Sequence, residues 1–366
     1  MAGHKSRLIW AKWLAIPAGL LFLVFLLWPT APATGAAPVP LERTLAFRML
    51  KREREVRAVP DSAEPLLRSV LTEAVAAVGP DPEPPATAQE FRAFAETVSI
   101  VLAAHNFVQP ASVDDWPDTL GEAFAPLPRD DPRVAASLKA DQPARLRRVK
   151  RQGPVYFIDC DIGAMLIISV AQMVGFDVAM VEVPGHNFMR WESASGAKSG
   201  WDWTYWRVPD EAGRAGRLQR SLLARKVFMA SQTLAETEAY FKSVLAGQID
   251  DPAAKLALRR EAAAAFPNNR VVAYGVARTF ALSAAATPSE RKDALGLSLL
   301  ALSMEGSGNP ESLADRMMAV ACAYAANGEP DLAKAFVQRA RTLADIDEDY
   351  RGSIAAVRSD RSCPLS

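Results

Sequence analysis

An uncharged, mostly apolar segment from Gly163 to Gly175 is the feature that most constrains how this chain can fold. Its larger side chains recur at steps of three and four residues, which predicts a helix that is buried on most of its surface. The glycine at its end is a typical helix stop. An extended apolar run, Val155 to Ile158, precedes the segment. Cys160 is therefore predicted to lie at the turn from a strand into the helix.

Three extended segments follow this helix and are predicted to be strands. They are Asp177 to Val183, His186 to Trp191 and Gly200 to Trp206. If the last two pair in a hairpin centred near Ala194, His186 lies opposite Asp202. Both side chains then point to the same side of the sheet, because side chains alternate along a strand. Trp206 is predicted to share that side.

Cys160, His186 and Asp202 are the residue types that a nucleophilic thiol needs. The thiolate attacks a carbonyl carbon, the imidazole takes and returns the proton, and the carboxylate fixes the imidazole tautomer. A helix N-terminus and a nearby imidazole both lower the pKa of a thiol, so we predict a reactive thiolate. The chain has only three histidines. The alternative is that Cys160 is a small buried residue and His186 an ordinary polar group in a strand.

The stretches Asp159-Cys160-Asp161, Gly185-His186-Asn187-Phe188 and Trp201-Asp202 resemble the transglutaminase-like superfamily of papain-like cysteine enzymes. The resemblance covers about residues 130 to 240. It implies an α+β fold in which the helix that bears the cysteine packs on an antiparallel sheet. It also implies that Cys160 is the nucleophile, His186 the general base and Asp202 the orienter, with the backbone amide of Cys160 in an oxyanion hole. Trp116 is a candidate for the upstream side chain of that hole, and many relatives have alanine at the position of Asn187.

The C-terminal third resembles the tetratricopeptide helix-turn-helix repeat, whose period is about 34 residues. The resemblance covers roughly residues 250 to 345, and the positions that carry it best are Met317, Val320, Ala321, Tyr324, Gly328, Ala333, Val337 and Ala340. Two or three such units would form a short array of helical hairpins. We expect the array either to bind a protein or peptide partner on its concave face or to pack against the triad domain and support it.

The N-terminus has the pattern of a signal anchor. Lys5, Arg7 and Lys12 precede an uncharged stretch from Trp13 to Leu41, of which Trp13 to Trp28 is strongly apolar. Basic residues keep this end in the cytoplasm, which predicts a single-pass inner-membrane protein with the bulk of the chain in the periplasm. The alternative is a cleaved signal peptide, because small residues follow the apolar part.

Composition argues against several other classes of protein. The 42 basic and 42 acidic side chains cancel, so no nucleic-acid partner is predicted. No cluster has metal-ligand spacing and no glycine-rich phosphate loop occurs, so we predict neither a metal nor a cofactor. An odd number of cysteines, three, leaves at least one unpaired, which we predict to be Cys160. The basic run Arg145 to Arg151 predicts an exposed helix face, or a contact with an acidic substrate or lipid headgroups.

The predicted organisation has five parts. They are an anchor and tether (1–40), a helical region (41–129), a transglutaminase-like domain (130–245), helical repeats (250–345) and a tail (346–366). The predicted function is that of an exported, membrane-tethered cysteine enzyme that cleaves an amide or acyl bond or transfers the acyl group to an amine. The alternative is an inert scaffold of the same fold whose repeats bind a protein partner in an envelope assembly.

Overall fold

The computed structural model describes residues 37–150, 152–218, 222–223, 227–305 and 310–344. Within these ranges the chain is mainly helical with two small sheets, a mixed α+β architecture. The helices are α1 (Leu45–Val56), α2 (Ala63–Val78), α3 (Ala88–Ala104), α4 (Leu120–Ala123), α5 (Pro132–Ala140), α6 (Pro143–Leu146), α7 (Cys160–Val174), α8 (Glu211–Arg217), α9 (Leu234–Gly247), α10 (Pro252–Ala265), α11 (Arg270–Leu282), α12 (Pro288–Ser303), α13 (Pro310–Ala326) and α14 (Pro330–Ala344).

The strands form a parallel pair and an antiparallel sheet of three. β1 (Phe107–Val108) pairs with β2 (Tyr156–Phe157) just before α7. The larger sheet has the order β3-β4-β5, with strands at Ala179–Val183, His186–Glu192 and Lys198–Trp201. β5 is shorter than predicted because the chain turns away after Trp201.

Helix α7 is the centre of the N-terminal core, as its lack of charge predicted. The Asp159 side chain caps its start by accepting a hydrogen bond from the Ile162 backbone at 2.9 Å, and Gly175 ends it in the left-handed conformation. Helices α1, α2 and α3 and strand β4 pack around it. Two of its polar side chains, Ser169 and Gln172, accept hydrogen bonds from the first backbone N–H groups of α1. They therefore satisfy donors that a helix start otherwise leaves unpaired.

Helices α9 to α14 pack in order along the chain, each one touching the next. A buried charge network joins them to the antiparallel sheet. Glu182 of β3 accepts a hydrogen bond from the Asn269 amide at 2.6 Å and lies 3.4 Å from the guanidinium of Arg270. Arg270 also lies 3.3 Å from Glu305. Because removing one member would leave a buried charge unpaired, the network fixes the position of α11 on the sheet.

The predicted membrane anchor is not supported. No helix in the described ranges is both long and apolar enough to cross a membrane. The most nearly uncharged helix of the core, α7, has 15 residues and is buried in the protein, whereas a span needs about 20 apolar residues. The predicted membrane contact and inner-membrane, largely periplasmic location are therefore wrong for this part of the chain. The segment that suggested them, Trp13 to Trp28, lies outside the described residues.

We expect Gly163→Ala to lower the free energy of unfolding by about 1–3 kcal/mol, because a new methyl group would collide with a buried ring. A Cβ atom at this position of α7 would lie 2.6 Å from Cγ and Cδ1 of Trp203, which is 1% exposed. Urea unfolding followed by fluorescence measures the change.

The matched control is Gly296→Ala in α12, where a Cβ atom meets nothing within 4 Å. That variant should gain up to about 1 kcal/mol from the higher helix propensity of alanine. Equal effects of the two substitutions would contradict the close packing of Trp203 on α7.

Candidate functional site

His186, which is partly buried, and Asp202 form a pair at one end of the antiparallel sheet. Nε2 of His186 lies 2.7 Å from Oδ2 of Asp202, and Asp202 is fully buried. The same carboxyl oxygen lies 3.4 Å from the guanidinium of Arg214, while Oδ1 accepts a hydrogen bond from the Tyr205 backbone at 3.3 Å. With Nε2 engaged by the carboxylate, Nδ1 is the ring nitrogen left to exchange a proton with a reacting group.

The strand register that brings the pair together differs from the predicted one by two residues. Arg190 lies opposite Gly200, and the hairpin loop is centred on Ser195. The loop has three residues and ends at Gly196 in the left-handed conformation, a common hairpin geometry that sets the register. A shift of two residues keeps every side chain on its face, so His186 still reaches Asp202 diagonally.

A buried arginine holds the turn that follows Asp202. Arg145 of α6 is fully buried and donates hydrogen bonds to the backbone carbonyls of Trp203 and Thr204. It also pairs with Asp141, and its guanidinium carbon lies 4.3 Å from the centre of the Trp203 ring. The prediction of an exposed basic helix face is therefore wrong for Arg145. This side chain positions the turn after Asp202 and is not exposed to solvent.

Cys160 starts α7 beside the same end of the sheet. It is a free cysteine and 6% exposed, whereas Cys322 is disulfide-bonded. Its thiol donates to Oδ1 of Asp161 at 3.3 Å, and the sulfur accepts from the backbone N–H of Asn187. Pairing between β4 and β5 begins at Met189 and Trp201, so this N–H faces no strand partner there. Among the described contacts, none is a hydrogen bond between Cys160 and His186.

The surroundings of the thiol keep it neutral. Burial raises the pKa of Cys160 well above its ordinary value, and the negative charges of Asp161 and Asp159 raise it further. The hydrogen bond from the Asn187 backbone acts in the opposite direction but is outweighed. This rise in the thiol pKa is opposite to the fall that was predicted from the helix N-terminus and the imidazole. Neither of those effects outweighs two adjacent carboxylates and the loss of solvent.

Several polar groups close to the sulfur were not identified from the sequence. One potential metal-ligand atom from each of Asp159, Cys160 and Asp161 lies within 4.8 Å of the other two. No such cluster of ligand atoms was predicted from the sequence. Asp161 accepts hydrogen bonds from the Asn187 amide and the Tyr240 hydroxyl, both at 2.6 Å. The run Asp-Cys-Asp was a visible signal for the two acids. Nothing in the sequence pointed to Tyr240, which comes from α9.

The aromatic neighbour of His186 is Tyr205, not the predicted Trp206. The Tyr205 ring lies 5.5 Å from the imidazole, and the side chain is partly open to solvent. Trp206 adopts a positive φ of 50° in the turn and packs on Trp203. Because β5 ends at Trp201, strand alternation does not extend to these residues. Trp116, the candidate for the oxyanion hole, ends a short 3-10 helix two residues before Asp118.

Comparison with known proteins found no similar protein. No protein-family model, no curated protein and no solved structure matches the chain.

We expect the thiol of Cys160 to react with iodoacetamide along a pH profile whose midpoint lies above the value of about 8.5 for free cysteine. The physical reason is that burial, Asp161 and Asp159 all raise its pKa. Asp161→Asn should lower the midpoint, since it removes the nearest charge. Asp331→Asn, on the exposed start of α14, is the control. A midpoint at or below that of free cysteine in the wild-type protein would contradict the neutral thiol.

We expect Arg145→Met to lower the free energy of unfolding by about 3–5 kcal/mol, because it leaves Asp141 buried without its counter-charge. Arg148→Met, three residues on and exposed, should change it by no more than about 0.5 kcal/mol. Chemical denaturation of both variants measures the difference. A loss for Arg145→Met as small as that for Arg148→Met would show that the turn does not depend on the guanidinium.

Proposed function

We propose that the protein is a cysteine enzyme of the transglutaminase-like type that cleaves or transfers an amide or acyl group. The single observation that carries the proposal is the pair formed by His186 and the buried Asp202, 2.7 Å apart, at the sheet end where Cys160 starts α7. Acyl transfer to sulfur requires an imidazole that a carboxylate orients and a thiol within reach of that imidazole. The pair of His186 and Asp202 supplies the first of these two elements.

The proposed reaction begins with a neutral thiol. Nδ1 of His186 takes the thiol proton as the sulfur attacks the carbonyl carbon, and Asp202 stabilises the imidazolium that forms. The proton then passes to the leaving group, which departs as the thioester forms at Cys160. Water or an amine attacks the thioester and releases the acyl group. Water is the default acceptor, so hydrolysis is the form of the reaction that we favour.

The oxyanion of the tetrahedral intermediate needs hydrogen-bond donors that are already in place. The backbone N–H of Cys160 is the first of α7 and has no partner within the helix. It points toward the N-terminal side of the helix, where the helix dipole also favours negative charge. We assign this N–H to the oxyanion hole.

We propose in addition that α10 to α14, which lie in the predicted repeat region 250–345, form tetratricopeptide-like helical hairpins. Each helix packs on the next, and the small side chains Ala321, Ala333 and Ala340 are buried between neighbours. The buried network of Glu182, Arg270 and Glu305 attaches α11 to the sheet that bears His186. This attachment favours a supporting role of the array over that of a free binding module.

A second candidate function, an inert scaffold of the same type that binds a protein partner, is favoured by two observations. The sulfur of Cys160 is hydrogen-bonded to Asp161 and Asn187 instead of His186. Strand alternation also places His186 on the sheet face of Val183 and Phe188, whereas Met189 and Trp191 face α7. In this case the thiol is a buried structural residue.

We expect the wild-type protein to form a thioester at Cys160 with an activated ester such as p-nitrophenyl acetate. His186→Ala should slow acylation by about 10²- to 10⁴-fold, because it removes the base. Asp202→Asn should act in the same direction through the imidazole tautomer. Stopped-flow release of nitrophenolate gives the rate, and mass spectrometry locates the acyl group.

His105→Ala is the matched control. His105 also pairs with a carboxylate, Glu73, at 2.9 Å, but lies at the end of α3. This variant should acylate at the wild-type rate. If His186→Ala also acylates at the wild-type rate while remaining folded, the enzyme proposal fails and the scaffold remains.

A further inference from the structure

The chain after Asp202 folds back on itself in a turn that holds an exposed aromatic ring beside His186. The Asp202 backbone N–H donates to the Arg207 carbonyl at 2.9 Å, and the Arg207 N–H donates to the Asp202 carbonyl at 3.3 Å. Within this closed turn Tyr205 is 43% exposed, and its ring centre lies 5.5 Å from that of the imidazole. A tyrosine that is open to solvent and fixed next to a candidate base is suited to contact a ligand.

A strained residue in the turn fixes the position of this ring. Trp206 is not glycine, yet its φ of 50° lies in the left-handed region, which costs free energy. The conformation is maintained by the Trp206 ring, which packs on Trp203 and lies 5.5 Å from the guanidinium carbon of the buried Arg145. Strain of this kind persists where the surroundings hold it and is concentrated at functional sites. The turn therefore presents Tyr205 in one position.

Arg207 places an uncompensated positive charge on the same ring. Its guanidinium carbon lies 5.2 Å from the centre of the Tyr205 ring, and the residue is exposed. None of the ion pairs in the described part of the chain includes Arg207. The two acids that follow it are already engaged, since Asp210 caps the start of α8 and Glu211 pairs with Arg190 at 2.5 Å. The guanidinium is therefore free to bind an anion from solvent.

The carboxyl group closest to this surface does not repel such an anion strongly. Asp202 is buried, and its Oδ2 lies 3.4 Å from the guanidinium of Arg214. The negative charge that orients His186 is thus compensated inside the protein, and the positive charge of Arg207 remains at the surface. An anionic group that approaches the imidazole along the Tyr205 ring meets net positive charge.

We propose that Tyr205 and Arg207 form a substrate subsite that binds a carboxylate group of the acyl donor on the His186 side of the sheet. A guanidinium binds a carboxylate through two parallel hydrogen bonds, and the carbon atoms next to the carboxylate would lie against the Tyr205 ring. The substrate class is an acyl compound, such as a peptide, with a free carboxylate close to the scissile bond. This inference rests on the proposed function, because it names the class of substrate that meets His186.

Ligand binding tests the subsite without any turnover. The full chain, isotope-labelled at its three histidines, is titrated with benzoate and with the neutral isostere benzamide at constant ionic strength. The Cε1–H resonance of His186, assigned by its loss in His186→Ala, reports on the space beside the Tyr205 ring. The resonance of His105, which contacts Glu73, is the internal reference.

We expect benzoate to shift the His186 resonance with a dissociation constant in the millimolar range, and benzamide to bind about tenfold more weakly or less. Arg207→Gln should weaken benzoate binding by about tenfold, because it removes the charge, and added salt should weaken it in the wild-type protein. Tyr205→Ala should also weaken it, because it removes the ring. Arg148→Gln, at another exposed arginine, is the matched control and should leave binding unchanged.

Acylation of Cys160 tests whether the bound carboxylate belongs to the substrate. The mono-p-nitrophenyl ester of adipic acid carries a carboxylate, and p-nitrophenyl hexanoate is its neutral counterpart. The ratio of their acylation rates should exceed the ratio for N-acetylcysteine by about tenfold, and Arg207→Gln should abolish the preference. A ratio equal to that of N-acetylcysteine overturns the assignment of the subsite to the substrate.

Equal binding of benzoate and benzamide, or benzoate binding that Arg207→Gln leaves unchanged, overturns the subsite itself. So does the absence of any shift at His186. These outcomes are separable from that of the proposed function. Benzoate binding without thioester formation retains a carboxylate site and rejects the enzyme, and thioester formation without benzoate binding does the reverse.

Discussion

The contact between the His186 imidazole and the Asp202 carboxyl group is the interaction on which the rest of the site depends. Asp202 is fully buried, and the chain immediately after it is held by the guanidinium of Arg145 through two backbone carbonyls. Arg145 is in turn fixed by Asp141 and by stacking on Trp203. Because Asp202, Arg145 and Asp141 are buried and hold one another in place, the carboxyl group that binds the imidazole is fixed before any substrate arrives.

The early end of β5 shapes the site. Where the chain leaves the sheet after Trp201, the backbone N–H of Asn187 loses a strand partner and the sulfur of Cys160 takes its place. The same departure from the sheet forms the turn that places Tyr205 beside His186. Helix α7 contributes the thiol, and its apolar body anchors that thiol in the core. The geometry of the site therefore follows from one strand end and one helix start.

Sequence patterns predicted the local elements of this site better than its electrostatics. The uncharged run indicated α7, and alternation placed His186 and Asp202 within reach even though the register was wrong by two residues. Gly196 could have corrected the register, since its left-handed conformation sets the loop. The burial of Arg145 was beyond sequence reasoning, because its partners Trp203 and Thr204 are distant in the chain. The neutral thiol was missed although Asp159 and Asp161 adjoin Cys160 in the sequence, because burial, the largest cause of its raised pKa, depends on tertiary packing.

The most direct test of the account is a crystal structure of the full chain after Cys160 has reacted with a small carbonyl electrophile. The account predicts that Nδ1 of His186 then lies within hydrogen-bond reach of the sulfur or of the leaving-group position, at about 3–4 Å, while Nε2 keeps its contact with Asp202. A structure in which the imidazole stays on the Phe188 face of the sheet, well beyond that reach, would contradict it.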